Sequence, residues 1–132
     1  MNRFRIQLFI LSLCTLPALA GPVRPSMPIP AAAKAIVQQV HAVSQSHDFG
    51  ALAKLMDDEF TSSFGGDSGI NEAIADWKQS PDKLKQLARA TGATCEVVAD
   101  IVQCPRGAGV GYRAGFKQTK RGWRMVYFVA GD

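Results

Sequence analysis

Apolar positions in this chain run at three successive spacings, and each predicts a different kind of structure. Residues 6–13 form a short apolar run, residues 31–92 place apolar side chains three and four apart, and from residue 94 onward apolar and polar positions alternate. In the helical stretch, Ala32, Ile36, Val40 and Val43 share one face between Ala31 and Ser46, with Lys34, Gln38 and Gln45 elsewhere on the cylinder. Asp48 caps a second, shorter helix through Met56 that turns Phe49, Leu52 and Leu55 inward. Phe60, Ser62 and Phe64 then alternate with Thr61 and Ser63, which predicts a short strand entering a glycine loop, Gly65-Gly66-Asp67-Ser68-Gly69. Ile70, Ile74 and Trp77 mark a third helix. Ser80 as cap and Pro81 at the first helical position start a fourth, whose inner face is Leu84, Leu87 and Ala88 and which Gly92 ends.

The alternating part begins with Cys95-Glu96-Val97-Val98-Ala99-Asp100-Ile101-Val102-Gln103-Cys104. A two-residue turn at Ala99-Asp100 sets Val98 against Ile101 and Cys95 against Cys104, the cysteines falling at a non-hydrogen-bonded pair where opposed side chains approach most closely. A longer irregular loop closed by the same bridge is the alternative, because Ala-Asp is a poor primed-turn sequence. Next, Val110, Tyr112, Ala114 and Phe116 alternate with Gly111, Arg113, Gly115 and Lys117, and Lys120-Arg121-Gly122 turns the chain into a last strand from Trp123 to Ala130. That strand is apolar at nearly every position from Met125 onward, which predicts a central strand covered on both faces. Helices first and strands last define an α+β fold in which N-terminal helices pack on a C-terminal antiparallel sheet.

The apolar run at the start changes the picture of compartment. Arg3 and Arg5 precede it, and Ala18-Leu19-Ala20 follow it, the layout of a secretory signal peptide cleaved before Gly21. The run is too short to span a bilayer as a stable helix, so membrane contact is confined to the signal before cleavage. Residues 1–20 are thus read as signal, 21–30 as a leader in which Pro22, Pro25, Pro28 and Pro30 favour extended chain, and 31–132 as a single α+β domain. Cys14 leaves with the signal. The remaining pair, Cys95 and Cys104, reads as a structural disulfide contributing roughly 2 to 3 kcal/mol by loop entropy; a redox or metal-binding thiol pair is the alternative, against which stand the absence of a CxxC spacing and of a nearby histidine.

Charge is small and positive overall but unevenly placed. Asp48, Asp57, Asp58, Glu59, Asp67, Glu72 and Asp76 crowd the middle with Lys54 alone against them, whereas Arg106, Arg113, Lys117, Lys120, Arg121 and Arg124 dominate the end. Either the two regions neutralise one another in the fold or the basic end faces an anionic partner. Nucleic acid is excluded as that partner by export, and by an alternation that sets Tyr112 and Phe116 on the face opposite Arg113 and Lys117.

No catalytic residue is assigned, and no cofactor or metal. His41 and His47 are six apart and point away from one another on a helix, which leaves a solvent-facing or capping role for each. Asp57-Asp58-Glu59 reads as a solvated turn between helix and strand and lacks the alternate ligand spacing of a calcium loop. Ser63 has no base and no GxSxG context. The glycine loop is not a phosphate-binding Walker loop, since no Gly-Lys-Ser/Thr follows. The one candidate binding patch is Gly65, Gly66, Asp67 and Gly69 with Trp77, facing the start of a strand at Tyr112 and Arg113. Glycines admit a partner to the backbone, Trp77 offers a rigid apolar anchor, and Arg113 pairs with a carboxylate or phosphate. The structural alternative makes the loop a capped turn and Trp77 a core residue.

Two resemblances attach to these residues. Phe60-Thr61-Ser62-Ser63-Phe64-Gly65-Gly66-Asp67-Ser68-Gly69, followed by Trp77 and Ser80-Pro81, resembles a family of small exported bacterial proteins of unknown function over about residues 31–92. The order of two helices, a strand, further helices and a meander ending in Trp123-Arg124-Met125-Val126-Tyr127-Phe128-Val129 is similar to the NTF2-like cone, whose curved sheet wraps a pocket closed by helices. That resemblance implies an acid or histidine inside the cone of an enzyme, and no position here matches one. The functional expectation is an exported, non-catalytic binding protein of the bacterial envelope, accessory or inhibitor-like, whose partner is an envelope or secreted protein or a small ligand. The alternative is an NTF2-like pocket enzyme or carrier for a small hydrophobic molecule. Oligomeric state has no signature in the chain.

Overall fold

A computed structural model describes residues 27–63 and 69–131. The signal peptide, the leader as far as Ser26, and Phe64, Gly65, Gly66, Asp67 and Ser68 of the glycine loop lie outside the described residues. The elements in chain order are α1 (Ala31–Ser46), α2 (Phe49–Lys54), β1 (Met56–Thr61), α3 (Ile70–Gln79), α4 (Pro81–Gly92), β2 (Glu96–Val98), β3 (Ile101–Cys104), β4 (Arg113–Thr119) and β5 (Gly122–Val129).

Helix α1 occupies its expected span, but its buried face is Ala33, Val37, Val40 and Ser44. Ala32 is exposed, and the apolar stripe is rotated by about one position from the expected one. A serine can sit on the inner face because its hydroxyl donates to the Val40 carbonyl at 2.6 Å. His47 ends the helix in the left-handed region at φ 57°, and the Asp48 N–H closes onto the Val43 carbonyl at 3.1 Å, so His47 is a capping residue. Asp48 then caps α2 by accepting the Ala51 N–H at 3.0 Å.

Helix α2 stops at Lys54, and Met56 opens β1 instead of ending the helix. The acids Asp57, Asp58 and Glu59 therefore lie in a strand and not in a turn. β1 is an edge of the sheet, Met56 and Phe60 face the core, and exposed carboxylates on an edge discourage pairing with another chain. Helix α4 has Pro81 at its first position as expected, while the Ser80 hydroxyl makes no cap and only its carbonyl is used, by the Lys83 N–H at 3.0 Å.

The five strands are ordered β1-β5-β4-β3-β2. β2 through β5 form the antiparallel meander, but β1 pairs with β5 in parallel, which makes the sheet mixed. The hairpin from β4 fills only one edge of β5, and β1 takes the other, the chain returning to the far side of the sheet through α3 and α4. The β2–β3 hairpin has the expected register, Val98 opposite Ile101 and Glu96 opposite Gln103. Ala99 supplies the positive φ, 56°, that the primed two-residue turn requires. Cys95 and Cys104 are bonded, with Cα atoms 4.3 Å apart, the close approach of a non-hydrogen-bonded pair.

Strand β4 begins at Arg113 and not at Val110. Gly107 and Gly109 have φ of 64° and 58°, which breaks the extended chain and leaves Val110 and Tyr112 exposed on a loop. On β5, Met125, Phe128 and Val129 are buried but Val126 and Tyr127 are only half-buried, so cover on both faces is incomplete. Phe116 pairs with Met125 and Gly115 with Tyr127, which bulges Val126 out of the ladder. A Cβ on Gly115 would overlap the Tyr127 ring, which explains the glycine.

Alternate strand residues Met56 and Phe60, Val102 and Cys104, Ala114 and Phe116 join Val40, Leu52, Trp77, Leu84 and Leu87 in one buried cluster. Only one face of the strands enters it, so the helices cover that face alone.

Candidate functional site

The concave side of the sheet is filled by rings. Trp77 is 2% exposed and meets Phe60 edge-on at 5.7 Å and Phe128 edge-on at 5.9 Å. Tyr112, 37% exposed, lies flat on the outer side of the same cluster with its ring 5.3 Å from Phe128. The buried polar residues among those described are Ser44 and Thr91, and each hydroxyl donates to a carbonyl of its own helix, Thr91 to Leu87 at 2.8 Å. No carboxylate or imidazole among the described residues is buried in this interior. The arrangement packs rings edge-on, with the Tyr112 ring stacked on its outer side.

The expected patch is divided by this packing. Gly65, Gly66 and Asp67 lie outside the described residues. Gly69 precedes α3 at φ 101°, and its N–H donates to the Phe60 carbonyl at 2.6 Å. Trp77 is a core ring and presents no anchor to solvent. Trp77 and Tyr112 do converge on Phe128, but Arg113 does not join them: it pairs with Val129, whereas Ala114 pairs with the inward Phe128, so alternation puts Arg113 on the opposite face of the sheet. There its guanidinium donates to the carbonyls of Gly111 and Gly131, each at 3.0 Å. Beside it the Tyr127 hydroxyl donates to Gln103 Oε1 at 2.6 Å. Burial raises the Tyr127 phenol above its ordinary value of 10.0, and the nearby Arg113 charge opposes that rise.

An open cleft of about 680 Å³ lies elsewhere, between the N-terminal half of α1, the C-terminal end of α4 and the base of the disulfide hairpin. Its volume falls in the range of small-ligand sites, about 300 to 1,000 Å³. Lys34, Gln38 and His41 reach it from α1; spaced by four and three residues, they form one stripe along the helix. Thr91, Gly92 and Cys95 supply the facing wall, and Arg106 stands at the exposed rim. The apolar part comes from Met27, Ile29 and Val37.

Each wall is fixed by identifiable contacts. His41 Nδ1 lies 2.7 Å from the Ala88 carbonyl oxygen, which can only accept, so Nδ1 carries a proton and Nε2 is the ring nitrogen left without a partner among the described residues. Gly92 permits that approach: a Cβ there would stand 2.8 Å from His41 Cε1. The Arg106 N–H donates to the Thr94 carbonyl at 2.6 Å and the Gly107 N–H to Glu96 Oε1 at 3.0 Å, which holds the loop after Cys104 against the hairpin.

Electrostatically the cleft is one-sided. Among the described residues no Asp or Glu lines it. The ion pairs among the described residues, Lys83 with Asp76, Lys117 with Asp100 and Arg121 with Asp58, leave Lys34 and Arg106 without carboxylate partners. Arg121 with Asp58 joins the basic end to the acidic middle, so the two regions neutralise one another there and Arg106 stands apart. Sequence reasoning placed Lys34 and His41 on the first helix, Gly92 at a helix end and Arg106 in the basic end, but did not join them into one site. The visible signal was a polar stripe at 34, 38 and 41 containing no acid; Arg106 joins it only through the disulfide-closed hairpin. Among the described residues no three His, Cys, Asp or Glu side chains cluster to hold a metal ion, and no helix is long and apolar enough to cross a membrane.

Helices wrapped over one face of a curved mixed sheet, with a meander at the C-terminal end, define an α+β cone. Solved structures share it: an NTF2-like protein of unknown function from Pseudomonas putida KT2440 superposes with a TM-score of 0.50 at 10% identity, over 79% of this chain and 89% of that one. An NTF2-like protein with a cystatin-like fold from Novosphingobium aromaticivorans overlaps at 0.43 with 16% identity, over 73% and 76% of the two chains. A provisionally assigned ketosteroid isomerase from Shewanella frigidimarina NCIMB 400 overlaps at 0.45 with 13% identity, over 75% and 94%. At such identities the likeness shows the fold alone, and the chain adopts the NTF2-like α+β fold. No family model and no curated protein matches the sequence.

Proposed function

We propose that this chain is an exported, non-catalytic binding protein of the bacterial envelope that takes its ligand outside the cone. The observation that carries this reading is the interior filled by Phe60, Trp77 and Phe128 with no acid or base among them. A pocket enzyme or a carrier for a small hydrophobic molecule needs room on that concave face, and rings occupy it. Export is supported by the arginine-flanked apolar segment at the N-terminus and by the Cys95–Cys104 disulfide, a bond that persists in oxidising compartments.

Protein recovered from the periplasm should begin at Gly21 by N-terminal sequencing and contain no free thiol. Met1 retained on a cytoplasmic protein would remove the envelope assignment. Neutral phenylnaphthylamine, a probe for apolar cavities, should show no saturable binding to the folded protein; saturable binding that shifts the Trp77 indole resonance would return the carrier or enzyme reading.

A further inference from the structure

We propose that the cleft between α1, α4 and the disulfide hairpin is a binding site for a small amphiphilic monoanion, a carboxylate or sulfonate on an apolar body. The inference rests on the non-catalytic binding reading and gives it a site and a ligand class. Four observations converge on it.

The cleft has the volume of a small-molecule site, about 680 Å³. Among the described residues its charge is of one sign: Lys34 and Arg106 line it from separate elements, neither has a carboxylate partner, and no acid is in the lining. A cation surrounded by water gains little from one distant anion, but two cations lining one cleft, one of them a planar guanidinium, favour an anion over a neutral group. The cleft is also half apolar, with Met27, Ile29 and Val37 on the side toward the start of α1, so a bare inorganic anion would leave that wall in contact with water. Finally, the floor is built rather than incidental. His41 is locked by Ala88, Gly92 makes room for its ring, and the Arg106 backbone is held to Thr94 at the base of the disulfide hairpin.

The four polar contributors, Lys34, Gln38, His41 and Arg106, come from α1 and from the loop after β3, so the site is assembled by the fold, with the disulfide helping to place Arg106. In the bound complex the anionic head lies between Lys34 and Arg106, and the apolar body runs over Val37 and Ile29. His41 and Gln38 form the polar floor beneath the head.

The test uses two fluorescent probes with one ring skeleton, anilinonaphthalene sulfonate and neutral phenylnaphthylamine, titrated into the mature, oxidised protein. The sulfonate should bind saturably at one site and the neutral probe should not. Lys34→Gln and Arg106→Gln should each weaken sulfonate binding about two- to fivefold, the scale of one exposed charge contact, without lowering the melting temperature. Lys85→Gln, on the exposed side of α4, should leave it unchanged. Equal binding of both probes, or sulfonate binding insensitive to Lys34 and Arg106, overturns the inference. Binding of neither probe overturns the inference and leaves the non-catalytic reading standing. Neutral-probe binding that perturbs Trp77 overturns both.

Discussion

The interior of the cone and the cleft beside it are built from the same helices to opposite rules. Helix α1 gives Val40 to the interior and Lys34, Gln38 and His41 to the cleft; α4 gives Leu84 and Leu87 to the one and Thr91 and Gly92 to the other. Inside, rings meet edge-on and every buried hydroxyl is satisfied by its own helix. Outside, Lys34 and Arg106 stand around an open volume without carboxylate partners among the described residues. On the proposed reading, the rings of Phe60, Trp77 and Phe128 occupy the space beneath the helices, and the ligand is taken at a margin where Lys34 and Arg106 have no carboxylate partner among the described residues.

The comparison breaks first at Trp77. Trp77→Ala removes the ring that bridges Phe60 and Phe128, and should cost about 3 to 5 kcal/mol of stability by denaturant unfolding. At temperatures where the variant is still folded, sulfonate binding at the cleft should persist. A loss under about 1 kcal/mol would mean that the interior is not packed as described.

The disulfide tests the cleft's wall next. Replacing Cys95 and Cys104 together by Ala should cost roughly 2 to 3 kcal/mol, and the intact protein should show the mass of the bonded form before reduction. The variant should also bind the anionic probe more weakly, because Arg106 is placed by the loop that leaves Cys104. Undiminished binding would detach the hairpin from the site.

Gly92→Ala separates geometry from stability. The added Cβ would meet the His41 ring at 2.8 Å, and a side-chain ring can move aside, so the unfolding free energy should change by only about 1 kcal/mol or less. The His41 imidazole resonances should nevertheless shift, and sulfonate affinity should fall with them. Unchanged imidazole resonances would contradict the placement of His41.

The last effect belongs to the outer face, away from both interior and cleft. Tyr127→Phe removes the hydrogen bond to Gln103 and should cost about 1 kcal/mol at neutral pH. Because burial raises the Tyr127 phenol, the unfolded chain ionises first as pH rises. The stability linked to this group is complete below the ordinary tyrosine value of 10.0 and is lost as pH climbs toward the folded value. The variant should lose this part of the alkaline decline, and a parallel decline in both proteins would contradict the buried phenol.

Local chemistry made part of this structure legible in the sequence. The cysteine spacing and Val98 with Ile101 determined the hairpin register; Asp48 and Pro81 marked two helix starts; apolar spacing located all four helices. What stayed hidden depended on distant partners. β1 looked like a turn because its carboxylates face solvent from a sheet edge, and its parallel pairing with β5 required knowing which edge was vacant. Glycine conformations at 107 and 109 delayed β4, and with it separated Tyr112 from the strand. Trp77 was legible as a core residue, with a surface anchor as the alternative, but the rings that enclose it, Phe60 and Phe128, arrive from two other elements and were not. The cleft was least visible, since Lys34, Gly92 and Arg106 come to line one volume only in the folded chain.

The most direct measurement is an amide and indole chemical-shift map of the oxidised protein titrated with anilinonaphthalene sulfonate. The account predicts progressive shifts at Lys34, Gln38, His41, Thr94 and Arg106, with the Trp77 indole signal unmoved. Shifts centred on Trp77, Phe60 and Phe128, with the cleft amides still, would place the ligand inside the cone and contradict it.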